Sequence, residues 1–480
     1  MTKTPSEKRK ATVPFSAAAL LTLVAFIAVM LSVVKAPIVV VMMFSWLVMI
    51  PFAMYLGYNL DEMETSALDL IRPAAGVMAL MIAVGGMVSI WLSAGTVPSM
   101  IYWGLKIISP GAFLLVAFLI TSVVALPTGT SWGTVATVGV AMMGVGLGLG
   151  LPAGIVAGAI ISGAYFGNGF SPVSDAPLMI SSVINVKIWD HVRFLSHTSG
   201  IAWVLSALLY GVIGLRYSGA AVDLAGIREI MDTLDSLFQI SVVTLIPMVV
   251  VLGMMIAKFS AFWSILVGSV VGVLVSVFYQ GFGLTEVFTY INKGFSLECE
   301  NALVTSLLNR GGFASMYELV AIIIGSLGVG GILKGTGMLD VLISSLSKSV
   351  KTIRSLTVTT VIASVITTSM VGTYYFCMTF VGTLMPPLYK KAGYKPENPG
   401  RIINDIANCL VVFLPWNAGA LYMSAQLGVP IREFVPYIFF NIILFAVNIL
   451  FGFFGIDAKK YTPEEMEQFA GEEAAAESGV

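Results

Sequence analysis

Long apolar runs follow one another along this 480-residue chain, and each is a bilayer-crossing length with few or no charges. A helix needs about 20 apolar residues to span the hydrocarbon core. Such runs lie near 14–34, 37–57, 74–94, 109–126, 134–150, 198–214, 239–257, 260–279, 316–333, 355–371, 374–388 and 432–455. Shorter, interrupted segments fall near 151–167, 171–184 and 401–428. The pattern predicts an all-α polytopic membrane protein with roughly ten to thirteen crossings. Composition agrees, with 58% hydrophobic and only 11% charged residues, against about 25% charged in soluble domains. A soluble enzyme is excluded.

The net charge of −1 supplies no basic field to recruit nucleic acid. Cys299, Cys377 and Cys409 are scattered, with neither a disulfide framework nor paired metal-ligand spacing. The amino terminus is basic and precedes an apolar run too long for a signal-peptide core. The positive-inside rule places it in the cytoplasm and the chain in the inner (plasma) membrane.

Two stretches read as non-spanning. Residues 215–238 carry Arg216, Asp223, Arg228, Glu229, Asp232 and Asp235, as a surface connector would. The tail from Asp457 is acidic and reads as disordered. The expected organisation is N-terminal helices and a connector (1–72), a first transport repeat (73–214), the surface connector (215–238), linking helices (239–315), a second transport repeat (316–456) and the tail (457–480).

An internal repeat supports that division. Gly129-Thr130 recurs as Gly372-Thr373, 243 residues later. At the same offset Val138-Gly139 recurs as Val381-Gly382, Met142 as Met385, and Pro172 as Pro415. Duplicated halves with interrupted helices are a transporter design. Lys348, Lys351 and Arg354 precede the apolar stretch 355–389, and Lys390, Lys391, Lys395 and Arg401 follow it. With both flanks cytoplasmic, the stretch reads as a helical hairpin meeting near Gly372-Thr373.

Non-helical backbone at membrane depth requires protein or a wet cavity to satisfy it. Pro127, Gly129, Pro172, Gly372 and Pro415 mark the breaks. Around the first, Thr130 and Ser131 offer oxygen ligands of the kind sodium prefers; the plainer role of such small residues is close helix packing. Trp132, Tyr374, Tyr375 and Trp416 flank the breaks as gates or as aromatic-belt residues. Gly144 to Gly150 alternate with apolar residues; lacking a preceding strand and a P-loop lysine, they read as a packing surface.

Asp175 is the only acid between Asp69 and Asp190. A membrane carboxylate costs roughly 2.5–3.5 kcal/mol and is kept to bind an ion, relay protons or pair with a cation. Ser171 and Ser174 stand beside it. Asp405 is the second candidate, with Asn404 and Asn408 at helical spacing and Asn417 beyond the next break. Sodium at Asp175 and Asp405 is the metal expectation. Glu318 reads as a headgroup-region acid and Lys334 as a snorkelling base. His191 and His197 read as loop residues at the surface.

At these residues the chain resembles a family. Gly129-Thr130-Ser131-Trp132-Gly133-Thr134, the run from Ser162 to Asp175, Arg310-Gly311-Gly312 and Leu414-Pro415-Trp416-Asn417 resemble signatures of the NhaC-type sodium/proton antiporters. The resemblance implies the ion-transporter superfamily fold, with two inverted repeats, re-entrant helical hairpins and broken helices, commonly as a homodimer. It implies alternating access, Na+ or H+ as coupling ion, and no other cofactor. Relatives exchange malate for lactate.

The sequence departs from the family pattern where charge matters. Asn168 and Gly169 stand where the family motif has an acid and a base, Thr373 where it has an acid, and Asn404-Asp405 where it has a Glu-Asp pair. A neutral lining of this kind suits the alternative substrate, a small organic solute such as a carboxylate or amino acid moved with the ion. Nothing in the chain marks an enzyme: no nucleophile–base pair and no metal cluster is visible in the sequence.

Overall fold

The computed structural model describes residues 8–218, 224–346, 352–371 and 373–466. Gly372, Lys348 and Lys351, used in the hairpin argument, lie outside the described residues. The described chain is helical throughout. In order come α1 Val13–Ser32, α2 Ile38–Tyr55, α3 Leu60–Ile71, α4 Ala75–Ser93, α5 Thr96–Ile107, α6 Pro110–Thr128, α7 Ser131–Thr134 and α8 Val140–Gly148. Then follow α9 Ala153–Phe170, α10 Asp175–Val183, α11 Ile188–Leu215, α12 Leu224–Leu237, α13 Ile246–Ile256, α14 Ala261–Phe278, α15 Leu284–Lys293 and α16 Ala302–Leu308. The last are α17 Ala314–Gly335, α18 Met338–Leu346, α19 Ile353–Val371, α20 Tyr374–Lys391, α21 Glu397–Leu410, α22 Ala418–Leu427, α23 Ile431–Phe434 and α24 Phe439–Phe454.

Among the described residues, 10 helices are long and apolar enough to cross a membrane, and the pair 431–437 and 439–454, bent by 56°, makes 11. The chain is an all-α polytopic membrane protein. Helices prevail because a bilayer offers no water to an unpaired peptide group.

Element bounds recur at the offset read from the sequence. α6 and α19 start and end 243 residues apart. The stretch 131–148, which runs from α7 through a π-turn at Val135–Gly139 into α8, is followed at the same offset by α20. α10 and α22 begin at Asp175 and Ala418, again 243 residues apart.

The core is built round α9, buried on all sides from Gly154 to Gly169. It meets α6 almost backbone to backbone: a Cβ on Gly163 would stand 2.3 Å from the Phe118 carbonyl oxygen, and one on Gly167 would stand 2.2 Å from Ala125 Cβ. Small residues one turn apart permit this approach. Gly144, Gly146 and Gly148 act likewise, seating Ile101, Phe113, Val156 and Leu105. Gly311 and Gly312, at φ 85° and 84°, run along α4, where Gly312 N–H donates to the Gly85 carbonyl at 2.7 Å. Only glycine takes this backbone without strain.

The stretch read as a surface connector holds a regular helix, α12, with Ile230 and Leu234 buried and Arg228, Glu229, Asp232 and Asp235 exposed. Two expectations change. The histidines lie within α11 instead of a loop, and His191 is fully buried. The tail is docked over its described part. Tyr394 and Lys460 form an antiparallel bridge, and Lys395 pairs with Glu465 at 2.7 Å. Composition alone suggested a solvated, mostly disordered end; in the described part, Glu465 and Lys459 find Lys395 in the turn after α20 and Glu397 at the start of α21. The Lys395 ammonium holds the Glu465 carboxyl below its ordinary range. That contribution is therefore present above the ordinary glutamate value and is lost as pH falls through the lowered one. Residues 467–480 lie outside the described residues.

The α6–α9 seam gives a stability test. Gly163→Ala or Gly167→Ala should cost about 1–3 kcal/mol, the usual penalty of overpacking. Gly200→Ala, with nothing within 4 Å of its Cβ, should stay within about 0.5 kcal/mol. Melting in detergent, followed by size-exclusion of the survivors, measures both.

Candidate ion-coupling site

The first break lies where α6 ends. Pro127 sits in the last turn of α6, and the chain turns at Gly129, φ 65°. A Cβ there would stand 3.1 Å from the backbone of Val173 and Ser174, so the two breaks of the first half touch. Thr130 is the N-cap of α7, its hydroxyl accepting from Gly133 N–H at 3.3 Å. Ser171 Oγ donates to the Leu126 carbonyl, one of those the break releases. Pro172 lies in the turn between α9 and α10.

Asp175 is the first residue of α10 and is exposed. Its Oδ1 accepts from Ala176 N–H at 2.9 Å. Its Oδ2 accepts from the Tyr374 hydroxyl at 2.8 Å and also from the Tyr375 hydroxyl. Both tyrosines open α20, whose N-cap Thr373 accepts from Tyr375 N–H at 3.4 Å. One carboxylate thus joins the helix starts that follow breaks in both halves of the chain.

A chain of neutral groups runs inward from it. Ser174 Oγ lies 3.2 Å from Asp175 Oδ1 and 3.0 Å from Asn168 Oδ1, so its single proton serves either. Asn168 Nδ2 donates to Asn408 Oδ1 at 3.0 Å. A Cβ on Gly169 would stand 2.7 Å from Asn408 Nδ2, which explains the glycine there. Asn404 Nδ2 reaches both the Gly169 carbonyl and Asp405 Oδ1 at 3.2 Å.

Asp405 ends the chain. It is buried on α21, a 14-residue helix encased in protein from Asn398 to Leu410. Encasement by protein lets so polar a segment sit among spanning helices. Asp405 Oδ2 accepts from Thr198 Oγ1 and Asn448 Nδ2, each at 2.8 Å. Thr198 and Asn448 were missed by the sequence reading. The available signal was the pair of asparagines, Asn441 and Asn448, in the otherwise apolar α24, since polar groups in spanning helices face the interior.

The other expected residues sit apart from this chain. Asn417 is the N-cap of α22, accepting from Gly419 N–H at 3.2 Å, and its amide donates to the Thr368 carbonyl. Pro415 and Trp416 lie in the stretch between α21 and α22, and Trp416 Nε1 donates to the Ser369 carbonyl at 2.9 Å. Trp132 stacks on Tyr422 at 4.4 Å. Ser131 is buried at the start of α7. Glu318 and Lys334 are exposed on α17, Lys334 over the Phe376 ring.

Comparison with known proteins decides the lineage. The profile of the Na+/H+ antiporter family matches residues 163–456, from the middle of α9 to just past α24. The chain belongs to the Na+/H+ antiporter family. It is 31% identical to a malate-2H+/Na+-lactate antiporter of Bacillus subtilis, over 87% of this chain and 90% of that one. It is 31% identical to the arginine/ornithine antiporter ArcD of Halobacterium salinarum, over 87% of each. It is 30% identical to the Na+/H+ antiporter NhaC of Alkalihalophilus pseudofirmus, over 94% of this chain and 98% of that one. The protein is therefore a secondary antiporter of this family, which is a transporter family and not an enzyme family.

The Asp405 network yields a stability test. Asn448→Leu removes a donor from a buried carboxylate and should cost about 1–3 kcal/mol. Asn441→Leu, on the same helix, removes a buried amide without hydrogen-bond partners among the described residues and should be neutral or stabilising. Paired melting curves in detergent compare them.

Proposed function

We propose that this antiporter exchanges Na+ for H+ by alternating access, with Asp175 as the ion-coupling carboxylate and Asp405 as a second, buried one. The observation that carries this is the position of Asp175: exposed, and held by Tyr374 and Tyr375 across the two breaks. A sodium ion at Oδ2 takes the place of the two phenolic donors. A proton on the carboxylate weakens the same contacts, so either ion uncouples α10 from α20. Asn168, Ser171 and Ser174 supply neutral oxygens nearby, while Thr130, Thr373 and Asn417 hold the helix starts. Trp132 and Trp416 are the remaining gating candidates.

A second reading has a specific observation in its favour. The interior chain from Ser174 to Asn404 is uncharged, and such a lining penalises an anionic or zwitterionic solute less than carboxylates do. Relatives named for malate/lactate and arginine/ornithine exchange support it. In that reading Na+ or H+ drives a small organic acid or amino acid through the same breaks.

Proteoliposomes carrying a pH-sensitive dye distinguish the two. Asp175→Asn should lower coupled exchange by about a hundredfold or more while leaving the folded yield intact. Wild-type rates in this variant would remove Asp175 from the coupling role. Sodium-driven proton movement without added solute supports the first reading; movement only with labelled malate, lactate, arginine or ornithine supports the second. Asn168→Asp should then raise ion affinity and impair the solute.

We further propose that the two sets of helices offset by 243 residues form inverted repeats, that the amino terminus is cytoplasmic in the plasma membrane, and that the protein is a homodimer. Ser109 and Thr352 precede α6 and α19 at equivalent, exposed positions. Single cysteines at these sites, without Cys299, Cys377 and Cys409, should label from opposite faces. Labelling of both from one face would rule out inversion. Cross-linking in the membrane tests the dimer.

A further inference from the structure

Two neighbours of Asp405 lead to one residue of the tail. Arg401, one helical turn before Asp405, is only 3% exposed, and its Nη1 lies 2.9 Å from Asp457 Oδ2. Its guanidinium is stacked 4.2 Å from the Phe194 ring and faces the Phe451 ring at 5.5 Å. Thr198, a donor to Asp405, follows His197, whose Nδ1 lies 2.6 Å from the same Asp457 oxygen. Among the described residues, Asp457 is the ion-pair partner of Arg401.

The tail is built to hold that carboxylate in place. Gly455 and Asp457 both adopt left-handed backbone, at φ 67° and 55°, turning the chain off α24 towards α21. Lys459 N–H donates to Asn398 Oδ1 at 2.9 Å, and Asn398 Nδ2 returns a bond to the Lys459 carbonyl at 2.8 Å. Lys395 N–H donates to Lys459, and Tyr461 N–H to Gly393. Lys459 lies over Phe194 and reaches Glu397 at 3.4 Å. The strap therefore binds the first turn of α21 and the loop before it.

A buried guanidinium needs a counter-charge. Without Asp457, the acid available to Arg401 is Asp405, at i+4 on the same helix and fully buried. Arg401 would then occupy electrostatically the place of the transported cation. We propose that Asp457 is a positioning residue that acts through Arg401: it holds the buried guanidinium to the tail strap and so keeps Asp405 available to the coupling ion. The proposal rests on Asp405 carrying ions in the exchange proposed above.

The test is a charge-removal pair in the full chain, measured as the Na+ dependence of proton movement in proteoliposomes. Asp457→Asn should raise the apparent KM for Na+ by about tenfold or more, with the maximal rate within about threefold, since a competing cation weakens binding and not turnover. Asp457→Glu should restore the wild-type value. Adding Arg401→Gln to Asp457→Asn should also restore it, because the competitor is gone; a purely structural pair would give a double variant no better than the single. An unchanged KM in Asp457→Asn, or no recovery in the double variant, overturns the proposal. If Asp457→Asn does not reach the membrane, the double variant decides alone, a wild-type KM supporting and a raised KM overturning it.

A second measurement needs no transport and separates the two hypotheses. In detergent, Asp405→Asn should lower the melting temperature more in the Asp457→Asn background than in wild type, by about 5 °C or more, because Arg401 then loses the remaining nearby carboxylate among the described residues. Equal shifts in the two backgrounds overturn the inference. A wild type that moves no protons under any gradient defeats the exchange reading and leaves this thermal comparison to judge the strap.

Discussion

A peptide group at membrane depth has nowhere to turn but to the protein itself, and the architecture follows from how each helix break meets that demand. Leu126 loses its helical partner and receives Ser171 Oγ. Gly133, Tyr375 and Gly419 offer N–H groups at helix starts and are received by Thr130, Thr373 and Asn417. Ser369, at the end of α19, receives the Trp416 indole. The hydroxyls and amides at the breaks are thus largely spent on backbone, and what stays open to chemistry is the carboxylate between them.

This explains which parts of the site were readable. Proline, glycine and threonine interrupting apolar runs reveal where helices stop, so the breaks at Gly129, Pro172 and Pro415 are visible in one dimension. The polar face of α21 is visible too, since Asn404, Asp405 and Asn408 recur at helical spacing. The use of each oxygen is not. Thr130 reads as a cation ligand and Thr373 as a neutral ligand for ion or solute, and the structure adds that their oxygens cap helices, because capping depends on a dihedral angle and not on composition. Thr198 and Asn448 hide inside apolar helices whose rotation only tertiary packing fixes. The docking of the tail's described part was hidden for a similar reason: its charges look solvated until the turn after α20 and the start of α21 supply their partners.

The distribution of charge is economical. Asp405 is satisfied by a hydroxyl and two amides, without a cation in contact, while Asp175 is met by two phenols. Neutral donors can stabilise a carboxylate and still yield it, since none carries a charge that must be left behind buried. Asn168 and Thr373 add polarity without repulsion, and the interior accommodates one buried carboxylate, Asp405, with the exposed Asp175 at the other end of the chain of neutral groups.

The seam between α6 and α9 has a mechanical consequence. With backbone set against backbone at Gly163 and Gly167, these helices interlock like keyed shafts: neither can rotate or slip past the other without collision. Pro127 and Asn168, at the same ends of those helices, must travel together in any rearrangement. Shear has to fall elsewhere, on surfaces that slide. The contacts available for that are side chain on side chain, as in the flat Trp132–Tyr422 stack and the phenolic contacts of Tyr374 and Tyr375 on Asp175.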